Sequence, residues 1–442
     1  MKTIVKTMTF IVTLALLFQC NSENPNPTIH IPDNNFLNAL IEQRVDTDGD
    51  GIISAAEAEE ITFLDVSSQE ISDLIGIEAF INLDTLYCGD NQLTTLDVSK
   101  NIKLKYLNCG VNFQLATLDV SNNIALEQLI CEMNQITILD VSNNTALKYL
   151  MCDYNQLSSL DVSNNIGLIG LECHANHLTS LDVSNNTALE SLYCFGNLLT
   201  GLDVSKNNKL VELECFGNQL TTLDVSNNNA LIWLNCRVNL LTSLDVSNNT
   251  VLEYLTCHNN QLSSLDVTNN KTLINLGCGS NQITTLDVSN NTALELLSCG
   301  RNQLITLDVS NNTALESLHC SGNLLTSLDV SKNIKLVDLA CNGNQLTTLD
   351  VSNNTVLEYL TCTGNQLTTL DVSNNTAFLQ LSCSANQLTT LDISNNTALK
   401  FVYLNDMASL YEVCVWEIPF PPVGVEVETT NSPNIYFTTE CN

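Results

Sequence analysis

A cysteine returns every 21 residues along most of this 442-residue chain, at Cys88, Cys109, Cys131, Cys152, Cys173 and onward in the same step to Cys383. One step, from Cys109 to Cys131, is a residue longer because Phe113 is inserted. Around each cysteine the same frame recurs, L-x-x-L-x-C-x-x-N-x-L-x-x-L-D-V-S-x-N, as in Leu357, Leu360, Cys362, Asn365, Leu367, Leu370, Asp371 and Val372. The length alone would suggest several globular domains. So short a period argues instead for one array, because a single unit cannot bury its own leucines and stacked neighbours can. In L-x-C and in L-D-V apolar and polar residues alternate, as a strand with one buried face requires. The expected fold is a solenoid of parallel β coils, with coils ~4.7–4.9 Å apart, the spacing between paired strands.

The first half of the frame resembles a leucine-rich repeat, and L-D-V-S-x-N has the same shape. Two such halves nested in one unit resemble the 21-residue bacterial "irreko" class of leucine-rich repeats. The resemblance covers residues 63–404 and implies a leucine-rich-repeat solenoid with a variable strand face, on which such proteins usually bind partners.

Three columns repeat with the coils. The asparagine of C-x-x-N, from Asn91 to Asn386, falls at the turn after the strand, where a short amide satisfies backbone groups of its own and the adjacent coil. The fifteen cysteines of the series point inward as small hydrophobes; parallel inward vectors suit disulfide torsion badly, and no zinc-type spacing occurs. The aspartate of L-D-V, from Asp97 to Asp392, forms an outward ladder, read as a solvated face or as a weak divalent-cation rail.

Residues outside the array have other roles. Lys2 and Lys6 precede an apolar run, Phe10 to Phe18, too short to span a bilayer; this is a signal peptide over 1–19. It ends at Cys20 in a segment resembling a bacterial lipobox, which implies lipidation of Cys20, a tether over 20–28, and an outer-membrane or cell-surface location; the alternative is plain secretion. Past the array, residues 405–442 read as a C-terminal β cap over the last coil, with export making a Cys414–Cys441 disulfide reasonable, stabilising by roughly 3–4 kcal/mol.

With 48 acidic against 15 basic residues, the net charge of −33 repels nucleic acid and anionic membranes. Membrane contact is therefore expected only through the lipid, and the chain is expected to be a monomer. Five scattered histidines and isolated basic residues offer no nucleophile–base pair, so no enzyme is expected. The L-D-V half hardly varies, whereas positions around L-x-C vary freely. Outward candidates in consecutive coils are Tyr154, Glu172, His174, Tyr193, Phe195, Glu214, Phe216, Trp233, Asn235, Arg237, Tyr254 and His258, rich in the types that dominate binding hot spots. The expected function is non-catalytic binding or adhesion to a protein or glycan through this face; the alternative is an envelope spacer without a ligand.

The segment Asp46 to Glu57 matches an EF-hand calcium loop. Asp46, Asp48 and Asp50 stand at positions 1, 3 and 5, Gly51 at 6, Ile52 at 7 through its carbonyl, Ser54 at 9 and Glu57 at 12. Helix-like segments over 35–44 and 55–61 flank it, making residues 29–62 an EF-hand-like N-terminal cap. One loop without a second suits a structural ion, as in dockerin-like modules. Chelating calcium, or the substitutions Asp46→Ala and Glu57→Ala, is expected to lower the melting temperature. Thermal unfolding left unchanged by chelator would remove calcium from the cap.

Overall fold

The computed structural model describes residues 27–441, so the expected signal peptide over 1–19 and Cys20 lie outside the described residues. Within them every coil contributes one three-residue strand centred on the second leucine of the frame. The first is Phe63–Asp65, followed by Thr85–Tyr87, Tyr106–Asn108 and so on to Gln380–Ser382 and Phe401–Tyr403. Each strand pairs in parallel with the next in strict register, leucine against leucine, as Leu171 with Leu192 and Leu213 with Leu234. The result is a single 18-stranded parallel sheet.

Six apolar side chains point inward from a coil. In one they are Leu168, Leu171, Cys173, Leu178, Leu181 and Val183, all buried. Stacking repeats this set into one continuous core, and the Phe113 insertion does not disturb it. Asn112 keeps the ladder position, bonding the carbonyls of Cys88 and Cys109, and Phe113 bulges outward in a left-handed conformation. All fifteen series cysteines are buried thiols. Burial pushes Cys109, Cys194 and Cys236 up to about 12, far from reactive thiolate.

The alternation in L-D-V leaves open whether that half of the coil forms a second sheet, and the structure answers that it mostly does not. Their burial alternates, yet among the described residues the second half of the coil forms a strand only at Thr390–Asp392, which pairs with Glu412–Cys414, itself paired with Tyr436–Thr438, while Leu64-Asp65 of the first coil belongs to the main sheet. Side chains occupy the backbone groups that a ladder would use. Each aspartate accepts its own coil's serine N–H, as Ser184 N to Asp182 Oδ1 at 2.9 Å. Each valine carbonyl accepts the amide of a second buried asparagine column, as Asn186 Nδ2 to Val162 at 2.9 Å.

Both ends are closed. Helix α1 (Asn34–Glu42) is capped by Asp33, whose other oxygen accepts from Ser72 of the first turns of the array. Phe36, Ala39 and Leu40 bury against the core, while Ile41 is only half-buried. Helix α2 (Ala55–Glu59) is shorter than the segment expected. At the other end the parallel stack runs past residue 404, because Glu426–Glu428 pairs with Phe401–Tyr403. The C-terminal segment therefore continues the coil as well as covering it, with Cys414 joined to Cys441 in a disulfide, Cα atoms 5.6 Å apart.

The aspartate ladder sets two effects against each other, hydrogen bonding and mutual repulsion. At Asp119 and Asp161 the Ser121 and Ser163 hydrogen bonds hold the carboxyl below the ordinary range, outweighing the neighbouring aspartates, which push it up. A depressed folded pKa contributes stability that is present above the unfolded value of about 3.9 and is lost as pH falls through the folded value. The ladder's own contribution, read in chelator as the difference in melting temperature between the wild type and the double variant Asp119→Asn, Asp161→Asn, should therefore be constant from neutrality to about pH 5 and shrink below about pH 4. A variant that melts higher than the wild type throughout would mean that repulsion dominates.

Candidate functional site

Three outward columns cross the strand face: the residue on each side of the strand leucine, and the residue just after the cysteine. The last column is the most distinctive. It begins with Gly89 and Gly110, runs through Glu132, Asp153, His174, Phe195, Phe216, Arg237 and His258, and returns to glycine at Gly279 and Gly300. A Cβ at Gly279 would lie 2.9 Å from the Gly300 carbonyl oxygen, and one at Gly300 equally close to that of Ser321. Side chains are excluded there, so the column of large residues ends at His258.

Register places these side chains face to face. The His174 ring stacks on Phe195 with centroids 4.0 Å apart, and Phe195 on Phe216 at 4.2 Å. Arg237 lies over the outer face of Phe216, its Cζ 4.4 Å from the centroid, a cation–π contact. Tyr154 meets His174 edge-on at 5.2 Å. The residue after each of these column positions takes a left-handed turn, with φ +62° at Gly196 and +63° at Gly217 beneath the two phenylalanines. Tyr154 occupies that turn position and so projects from the end of the row, 49% exposed.

The neighbouring columns extend the patch. Trp233 and Tyr254 pack at 4.7 Å, and the Tyr193 hydroxyl donates to Glu212. Glu172 and Glu214 are half-buried between the aromatic rows, and burial raises both carboxyls. His258, beside Arg237, is held below its ordinary value by burial and then by that charge. All the expected face residues thus fall on one surface over consecutive coils.

Sequence reasoning passed over Asp153, although it occupies the same column as His174. It is 4% exposed, His174 is 9% exposed, and Asp153 Oδ2 lies 3.3 Å from His174 Nε2. Burial pushes Asp153 up to about 7 and His174 down to about 4. Reading the residue after each cysteine down the chain would have found it. Among the described residues, one set of buried polar atoms without partners is the amide oxygens of the second asparagine column. The others are Asp153 Oδ1, His174 Nδ1, Trp233 Nε1 and Asn235 Oδ1, all on this patch.

Two further clusters have chemical potential. Carboxylates of Asp46, Asp48 and Asp50 converge within 4.8 Å, a donor set that fits a hard dication. Asp46 also accepts from Gly49 and Gly51 N–H, while Ile53 is buried and its carbonyl pairs with Ile29 N–H. Glu57 does not join the three. It turns back to accept from Thr47 and Ser54, hydrogen bonds that draw it down to about 2, and Ser54 caps helix α2. The Ile52 side chain is exposed. Elsewhere Ser317 Oγ and Asp338 both reach His319 Nε2, at 3.2 and 2.8 Å. A nucleophile–base relay needs the two ring nitrogens separately, so this trio cannot act as one.

Solved structures share this architecture. The functional domain of InlJ from Listeria monocytogenes, described as including a cysteine ladder, is 36% identical with a TM-score of 0.74, over 85% of this chain and 80% of that one. The chain belongs to the leucine-rich-repeat family. A leucine-rich-repeat protein of Leptospira interrogans is 25% identical over 75% of this chain and 92% of its own, with a TM-score of 0.68. An internalin from Listeria monocytogenes is likewise 25% identical, over 74% and 95%, with a TM-score of 0.63. No protein-family model matches the chain, and no curated protein is significantly similar in sequence. Its structural neighbours are thus bacterial leucine-rich-repeat proteins of internalin type, and the 21-residue coil fits among them.

Proposed function

We propose that this leucine-rich-repeat chain is a non-catalytic, surface-displayed adhesion protein whose strand face engages a protein ligand between the coils of Cys152 and Cys257. The observation that carries the reading is the coincidence of the aromatic row with the orphaned polar atoms of Asp153, His174, Trp233 and Asn235. Buried polar groups without partners are costly in an isolated fold and are satisfied when a ligand arrives. Fifteen scaffold asparagine oxygens are unpaired in the same way, so what marks this patch is that its four unpaired groups coincide with the aromatic row, which an envelope spacer does not require.

Protein suits the face better than glycan. Sugar rings stack on free aromatic faces, and here both faces of Phe195 are taken, by His174 and Phe216. What remains outward is a ridge of ring edges flanked by Glu172, Glu212 and Glu214, which favours a partner presenting apolar and basic side chains. In this reading Cys20 carries the lipid anchor and calcium in the Asp46–Glu57 loop stiffens the end nearest the membrane.

An array of extracellular proteins and glycans, probed with and without calcium, tests the proposal. Binding to protein spots should weaken by about 100-fold or more in the triple variant Phe195→Ala, Phe216→Ala, Trp233→Ala, with circular dichroism unchanged. Hits retained by that variant, or glycans as the only hits, would contradict the protein-ligand assignment.

A further inference from the structure

We propose that Asp153, Glu172 and His174 form a binding site for a divalent transition metal of the zinc class, separate from the calcium loop and independent of any protein ligand. The three side chains converge because of the repeat itself. Glu172 and His174 stand two residues apart across Cys173, so both point outward from one coil. Asp153 occupies the His174 position one coil earlier, and strict register brings it alongside. One ligand atom from each lies within 4.8 Å of the other two.

The donor set is one imidazole and two carboxylates, which suits zinc and its first-row neighbours rather than calcium, whose ligands are oxygens alone. Two of the atoms lack any partner in the fold. Asp153 Oδ1 and His174 Nδ1 are both buried without a hydrogen bond, and Asp153 is more than nine-tenths buried. Asp153 and His174 approach to 3.3 Å without a hydrogen bond joining them. A dication between the three groups would be held by the Asp153 carboxylate, by one ring nitrogen of His174 and by Glu172, and would offset the carboxylate charge.

The surroundings hold the ring in place. Phe195 stacks on its face at an interplanar angle of 19°, and Tyr154 meets it edge-on. Three protein ligands leave a fourth position, on the side where Glu172 is only half-buried, for water or an outside group.

The test is calorimetric titration of the full chain with Zn2+ in excess calcium, so that the Asp46–Glu57 loop is already saturated. One zinc per chain is expected to bind, and Asp153→Asn and His174→Gln should each weaken it by about 10–100-fold or more. Asp46→Ala should leave it intact. Cobalt substituted for zinc should give a visible absorption band that disappears in His174→Gln. Absence of stoichiometric zinc binding by the wild type, or binding unchanged in both variants with native circular dichroism, would overturn the site. Failure of the zinc site leaves the protein-ligand reading to its own array, read without added zinc, whereas its success assigns the unpaired Asp153 and His174 groups to the metal and leaves Trp233 and Asn235 to the protein ligand.

Discussion

A buried peptide carbonyl must find a donor, and backbone pairing between coils, although it runs on past each three-residue strand as in Cys194 N to the Glu214 carbonyl and Leu198 N to the Leu178 carbonyl, leaves corner carbonyls such as that of Cys194 to be met by side chains. The asparagine amides meet the remaining demand. Asn218 donates to the carbonyls of Cys194, one coil back, and of Cys215 and Phe216 in its own coil, while its oxygen accepts the Leu199 N–H. A second column, as at Asn228, donates to Val204 and Asn207 of the preceding coil. Each coil is therefore locked to its predecessor by side chains at two corners and by strand pairing between. This is why the frame tolerates so little change at its asparagines and so much at its outward positions.

That locking makes function possible on the strand face. Since register is strict, any residue type placed in one column of adjacent coils is brought into contact with its own kind. Phe195 on Phe216 is such a pair, and so is Trp233 with Tyr254. The same rule brings Asp153 to His174 across a coil boundary. The scaffold turns sequence spacing into a surface, and glycines at both ends of the column limit its extent.

Much of this was legible in the sequence. The 21-residue step gave coil, core and the first amide ladder, because each depends on a periodicity that one chain displays many times. That Asp46, Asp48 and Asp50 converge was legible from their spacing, though not that Glu57 would spend both oxygens on Thr47 and Ser54. The L-D-V pattern left the second half of the coil open, since alternating burial is shared by strands and by extended segments whose backbone is capped by side chains. Asp153 was missed for a separate reason. Two residues separate each cysteine from its asparagine, and at this coil the second, Tyr154, drew the reading away from the first, although His174, Phe195 and Phe216 were read from that first position. The left-handed turn decides between them, sending Tyr154 aside and keeping Asp153 in line with His174.

The dependence of the stack on its amide ladder can be measured at one hydrogen. In Asn218→Ala the Leu199 N–H loses its acceptor while every strand contact remains available. Native-state hydrogen exchange should then show the Leu199 amide losing protection, together with its immediate coils, while amides near Leu360 exchange as in the wild type. Unchanged protection at Leu199 would mean that strand pairing and leucine packing hold the solenoid without the ladder.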